Sequence, residues 1–150
     1  MKSDPAFDLS HFLPYMLNQA AEAASLGFQQ VYKQRYGMLR TEWRVLFHLG
    51  RHGEMTAKAI CERARIHKTK ISRAVKALED RRFLIRHEQQ SDRRVELLSL
   101  TRAGAAAYAD LSAIARDYDQ QLAAQFSETE RAILRQCLQQ LADLPARARE

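Results

Sequence analysis

The stretch His67–Thr101, HKTKISRAVKALEDRRFLIRHEQQSDRRVELLSLT, changes its hydrophobic period part-way along. In its first half Ile71, Val75 and Leu78 fall on one face of a helix, so at 100° per residue Thr69, Arg73 and Lys76 project from the opposite side, flanked by Lys68, Lys70 and Ser72. In its second half Phe83–Arg86 and Val95–Leu100 have strand composition, and the connection from Glu88 to Arg94 is too polar for a core. One basic helix followed by a basic hairpin, with Ser91-Asp92-Arg93-Arg94 at the tip, is the pattern of a winged nucleic-acid reader.

Charge is concentrated in the same place. Residues 63–102 hold 12 Lys and Arg against 5 Asp and Glu, a net of +7, whereas the whole chain carries +6 and the remainder sums to −1. A surface that must displace counterions from a polyanion collects charge in this way, although a solvated charged face would also carry such a run. On the exposed helix face, Arg and Lys pair with guanine O6 and N7, and Ser and Thr reach base edges or phosphates. An arginine at the hairpin tip fits the narrow, electronegative minor groove, and Asp92 beside Arg93 and Arg94 is placed to hold a guanidinium.

Outward from this stretch the pattern is helical. Phe12/Leu13, Met16/Leu17, Ala20, Ala24, Phe28 and Val31/Tyr32 predict a long first helix ending near Gly37, with Asp8 or Ser10 as its cap. Thr41 reads as the cap of a second helix with Trp43, Leu46, Phe47 and Gly50 inward, stopping at Gly53. Thr56 opens a short third helix carrying Ala59, Ile60 and Ala64, and Arg65-Ile66-His67 turns into the basic helix, which is helix-turn-helix spacing. After the hairpin, Thr101 is placed to cap a fifth helix with a seam of Tyr108, Leu111, Ala115, Tyr118, Leu122 and Phe126. Ser127-Glu128-Thr129-Glu130 is a capping box before a sixth helix with Ile133/Leu134, Cys137/Leu138 and Leu141 on one side.

The order of helix-turn-helix, Asp92-Arg93-Arg94 at a hairpin tip and Leu98-Ser99-Leu100-Thr101-Arg102-Ala103-Gly104 resembles the MarR family of bacterial transcriptional regulators, and the resemblance extends over almost the whole chain. It implies a mainly α fold with a small β-hairpin wing, in which residues 37–101 form a winged helix-turn-helix and residues 1–36 and 102–150 a helical dimerisation region. It implies a homodimeric repressor or activator on a palindromic operator, with Arg94 of each wing in the minor groove and Asp92 bracing it. One departure is visible: the family usually places Gly before the first wing strand, where this chain has Arg82. The resemblance also implies a small effector, often an aromatic acid or its thioester, in a crevice between the dimer helices and the winged domain. Tyr15, Asn18, Tyr36, Arg40, Arg44 and His48 are the candidate lining, with Arg44 and His48 one turn apart on one helix face.

Two apolar helices beyond the winged core, together with the first helix, leave surface that a second copy covers economically, against the alternative of a monomeric bundle. Other chemistries lack their residues. His48, His52 and His67 have no Cys, Asp or Glu close in sequence to complete a metal site, so none is expected. Cys61 and Cys137 lack CxxC spacing and read as small buried hydrophobes rather than sensors. There is no phosphate loop, nucleophile elbow or HExxH motif, so neither an enzyme nor a cofactor is expected. No apolar run of about 20 residues and no signal-peptide pattern occurs, which gives the expectation of a cytoplasmic protein. An architectural protein binding DNA without sequence preference would share the basic patch and lack a defined operator.

Overall fold

The computed structural model describes residues 6–145. A 3-10 turn at Leu9–His11 precedes α1 (Leu13–Tyr36), α2 (Arg40–His52), α3 (Ala57–Ala64), α4 (Lys68–Asp80), β1 (Leu84–Glu88), β2 (Glu96–Leu100), α5 (Arg102–Ala123) and α6 (Glu128–Ala142). The architecture is mainly helical with one antiparallel hairpin, in the register Leu84 to Leu100 and Glu88 to Glu96. Met55, between α2 and α3, adds a single bridge to the hairpin through a reciprocal pair of backbone bonds with Leu98. No helix among the described residues is long and apolar enough to cross a membrane.

The chain divides into two compact units, Met1–Ile114 and Ala115–Glu150. In the first, the core is made by Val45, Leu46 and Leu49 of α2, Ile60 of α3, Ile71, Val75 and Leu78 of α4, Leu84 and Leu98 of the hairpin, and Leu111 of α5. An aromatic ladder runs through the same unit from Phe28 and Tyr32 to Trp43, Phe47 and Tyr108, with successive centroids 4.8–5.6 Å apart. Most contacts along it are edge-to-face, the arrangement that the ring quadrupole favours. Gly50 lets the ladder close against α2, because a Cβ there would lie 2.5 Å from the Tyr108 ring. In the second unit the Ser127/Glu130 capping box forms as expected, and Arg135 pairs with Asp119 at 3.0 Å.

Helix ends depart from the sequence reading where a distant partner intervenes. Asp8 caps the 3-10 turn by accepting from the Ser10 N–H, so α1 itself starts behind Phe12 with no side-chain cap. Thr41 lies inside α2, because the Glu42 carboxylate reaches back to the Leu39 N–H at 2.9 Å and starts the helix two residues earlier. Glu42 is buried, and it also accepts from Arg81, whose guanidinium donates to the Tyr36 carbonyl at 2.8 Å. A buried carboxylate needs such partners, since an uncompensated one costs several kcal/mol. The α2 stripe is therefore rotated: Val45, Leu46 and Leu49 are buried while Trp43 and Phe47 are half-buried. Phe126 falls beyond the end of α5 and is exposed, and Leu111 is fully buried. Cys137 is exposed on α6 and Cys61 half-buried, so neither is a fully buried hydrophobe.

The junction between α4 and the hairpin is the tightest point of the fold. The Phe83 N–H bonds the Leu78 carbonyl and the Arg82 N–H bonds the Glu79 carbonyl, a Schellman ending that requires a left-handed residue at 82. Arg82 takes that conformation with φ +62°. Gly104 sits over the same point, where a Cβ would come within 2.0 Å of the Phe83 carbonyl oxygen. We therefore expect Gly104→Ala to lower unfolding free energy by about 2 kcal/mol or more through overpacking. Arg82→Gly should raise it by up to about 1 kcal/mol through relief of the left-handed strain. Urea denaturation of the two variants beside the parent measures both signs.

Candidate nucleic-acid interface

The helix α4 is entered through a turn that its own residues build. Thr56 caps α3 by accepting from the Ala59 N–H, Arg65 ends α3 with φ +54°, and the His67 Nδ1 accepts from the Thr69 N–H at 3.2 Å. From that start Ile71, Ala74, Val75 and Leu78 are buried, and Lys68, Thr69, Lys70, Ser72, Arg73 and Lys76 are all exposed. Lys76 pairs with Asp80 at 2.8 Å. Among the described residues no ion pair engages Lys68, Lys70 or Arg73, so their charge faces solvent undiminished.

At the hairpin tip the Asp92 carboxylate accepts from both the backbone N–H and the Nε of Arg94 at 3.1 Å, and from a terminal guanidinium nitrogen at 3.3 Å. Arg94 nevertheless keeps a side chain 90% exposed. These hydrogen bonds from Arg94 hold the Asp92 carboxyl below the ordinary carboxylate range. The clamp is therefore complete above the usual aspartate pKa and is lost only as pH falls through the lowered value. Arg93, also exposed, has no ion pair among the described residues. Farther down the wing, Arg86 bridges Glu79 at the end of α4 (3.0 Å) and Glu96 on β2 (3.1 Å), which ties the wing to the basic helix.

A second feature lies on the outer face of α2. Trp43, Phe47 and Tyr108 form the apolar floor of an open cavity of about 400 Å³, and Arg44, His48, Arg51, His52 and Arg63 stand around it. The His48 and His52 rings are stacked, with centroids 6.0 Å apart.

Comparison with known proteins rests on both sequence and structure. Residues 36–95 match the MarR family profile. The chain is 24% identical over 125 residues to an uncharacterised HTH-type transcriptional regulator, YwoH of Bacillus subtilis, covering 82% of this chain and 90% of YwoH. The crystal structure of a MarR/EmrR family transcriptional regulator from Acinetobacter sp. ADP1 superposes with a TM-score of 0.82 at 26% identity, covering 91% of this chain and 96% of that one. Residues 36–95 thus match the MarR family, and the chain resembles its regulators over almost its whole length. These likenesses support a DNA-binding transcriptional regulator, and its fold is that of such regulators. The same fold is shared by BpsR of Bordetella bronchiseptica, whose DNA binding is regulated by 6-hydroxynicotinic acid (TM-score 0.82, 19% identity, 93% and 99% coverage).

In this chain the six nominated α4 residues share one exposed face, and Asp92, Arg93 and Arg94 share the wing tip. The nominated effector residues are dispersed. Arg44 and His48 line the cavity. Tyr36 instead donates to Asp110 at 2.6 Å, Arg40 pairs with Glu22 at 2.6 Å and bonds Gln29, and Tyr15 and Asn18 lie exposed in the first turns of α1. Sequence reasoning missed Trp43, Phe47, Arg51, His52, Arg63 and Tyr108 as cavity lining. The four on α2 follow its period; Arg63 and Tyr108 arrive from other elements and leave no local signal. It also missed the capping role of His67. Asp92→Asn should leave stability essentially unchanged, as for other exposed pairs, while freeing Arg94. Arginine Nε NMR should show the Arg94 signal becoming mobile in that variant.

Proposed function

We propose that the protein is a homodimeric, effector-responsive repressor or activator that reads a palindromic operator. On this reading residues 37–101 bind DNA, with α4 in the major groove and Arg94 of each wing in the minor groove, braced by Asp92. Residues 1–36 and 102–150 supply the dimer contacts, of which residues 1–5 and 146–150 lie outside the described residues. The observation that carries the proposal is the pairing of an α4 face on which no ion pair engages Lys68, Lys70 or Arg73 among the described residues with a guanidinium held outward at the wing tip. Minor-groove arginines recognise groove shape, and major-groove side chains recognise base edges, so the two together read sequence rather than charge alone.

A dimer is supported by apolar surface that a single protomer leaves open. Leu13 and Met16 on α1 are 61% and 44% exposed, and Ile133, Leu134 and Leu138 on α6 are 43% or more exposed. Twofold pairing would set two α4 helices about 34 Å apart, one turn of DNA. An effector is supported by the aromatic-floored cavity and by the response of BpsR to an aromatic acid. The absence of a membrane-spanning helix among the described residues accords with action on DNA in the cytoplasm.

Selection of bound sequences from a random DNA pool at fixed salt tests the reading. An enriched palindrome is the expected result, and uniform recovery would favour an architectural protein instead. Arg94→Ala should weaken operator binding by about 1–3 kcal/mol, and Arg73→Ala should weaken it and also relax base preference at one position of each half-site. An equal loss of affinity for every sequence would reassign Arg73 to phosphate contact. Leu138→Glu, at an exposed position, should shift sedimentation from dimer to monomer and reduce operator binding with it. Leu111 is unsuitable for that test, because its complete burial within one protomer means that a charge there would unfold the chain.

A further inference from the structure

The cavity on α2 has a composition that an ordinary aromatic monoacid does not require. Its floor is aromatic, formed by Trp43 and Phe47 of α2 and Tyr108 of α5. Its rim carries Arg44 and Arg51 of α2 and Arg63 of α3, with His48 and His52 between them. No carboxylate lines it, and among the described residues no ion pair engages any of these three arginines, although Arg35, Arg40, Arg81 and Arg86 elsewhere in the same unit are each matched to an Asp or Glu. One carboxylate would be satisfied by one bidentate arginine and would leave two guanidinium groups crowding each other. Two stacked imidazoles within this cluster are placed to follow whatever charge occupies it.

We propose that this cavity binds an aromatic ligand bearing two or more negative charges, and that His48 and His52 take up protons as it binds. The inference rests on the effector reading above and sharpens it to a ligand class and a pH dependence. A proton on either ring meets like charge from the neighbouring arginines. His48 is held below the ordinary histidine range by partial burial first and then by His52, Arg63 and Arg44. His52 is shifted the same way by desolvation, Arg63 and Arg51. The rings are therefore neutral in the empty protein near pH 7. A multiply charged anion reverses the sign of the local field, the rings gain protons, and by linkage the ligand binds more tightly as pH falls.

Benzenesulfonate and benzene-1,3-disulfonate separate the terms, since both keep a fixed charge across the accessible pH range and share the aromatic ring. In calorimetry on the full chain, the disulfonate should bind at least about tenfold more tightly than the monosulfonate at pH 6.5. Its Kd should fall about tenfold or more between pH 8.0 and 6.0, one proton taken up being worth up to tenfold per pH unit. Titrations at one pH in buffers of different ionisation enthalpy should register net proton uptake. Arg63→Gln should cost the disulfonate more than the monosulfonate, and the His48→Gln/His52→Gln double variant should flatten the pH dependence while still binding the ring.

Equal affinity for the two sulfonates, binding of neither, or disulfonate binding without proton uptake would each overturn the proposal. The parent chain alone decides these points if a variant fails to fold. Operator binding measured on the same preparation keeps the two readings apart. A protein that binds its operator but fails the sulfonate comparison loses only this inference, whereas one that selects no operator loses the regulator reading.

Discussion

The close passage of the Gly104 backbone over the Phe83 carbonyl is the contact on which the arrangement of α4 and the wing depends. Four elements meet there: α4 ends, β1 begins, β2 ends and α5 begins. The Phe83 oxygen accepts from the Thr101 N–H at 3.1 Å, the Thr101 hydroxyl donates to the Arg82 carbonyl at 2.7 Å, and the same oxygen atom of Thr101 accepts from the Gly104 N–H at 3.0 Å. A side chain at 104 would hold α5 away and open this network. Because α4 and the wing are both anchored in it, the spacing between the basic face of α4 and the wing-tip Arg94 is fixed by backbone hydrogen bonds. The Arg86 bridge from Glu79 to Glu96 then reinforces the same spacing from the opposite side of the wing.

Charge in the molecule is sorted by the same architecture. Arg35 and Tyr36 on α1 share Asp110 of α5, Arg40 at the start of α2 meets Glu22, and Arg81 meets the buried Glu42. These pairs join helices, and each neutralises the cation that it fixes. The exposed ones contribute little to stability individually. Their larger effect is on the field around the protein, since cancelling those charges leaves the unmatched positive potential on the α4 face, the wing tip and the α2 cavity. A total of +6 spread evenly would steer anions everywhere. Concentrated at three places, it steers them to concave or groove-fitting surfaces, where field lines are focused.

Legibility in the sequence follows the range of the interaction. The basic helix, the hairpin and the Ser127/Glu130 cap were readable because each depends on residues a few positions apart: a 3.6-residue period, an alternation, or a hydroxyl three places before a carboxylate. The same reasoning failed at Thr41, where the cap comes from Glu42 inside the helix and Glu42 is held in turn by Arg81 from the end of α4. The nominated effector residues meet the same limit. Tyr36 and Arg40 have the right chemistry for an aromatic acid, yet their polar groups are already committed to Asp110, Glu22 and Gln29, partners that periodicity cannot supply.

The cavity shows the limit most clearly. Trp43, Phe47, His48 and Arg51 can be listed from the α2 period, but its character as an anion site depends on Arg63 arriving from α3 and on Tyr108 closing the floor from α5. Tyr108 reaches that place only because Gly50 leaves room for its ring. A glycine inside an amphipathic helix reads as a weak point, costing about 1 kcal/mol relative to alanine. Here it is the condition for the aromatic floor. The helix α2 therefore turns its buried face to the core shared with α4 and its outer face to the cavity, so whatever binds the cavity acts on an element packed directly against the basic helix. Such a ligand alters DNA binding only to the extent that it binds one arrangement of that pair better than another. The physical basis for a response is thus the two-faced position of α2, which no local stretch of sequence records.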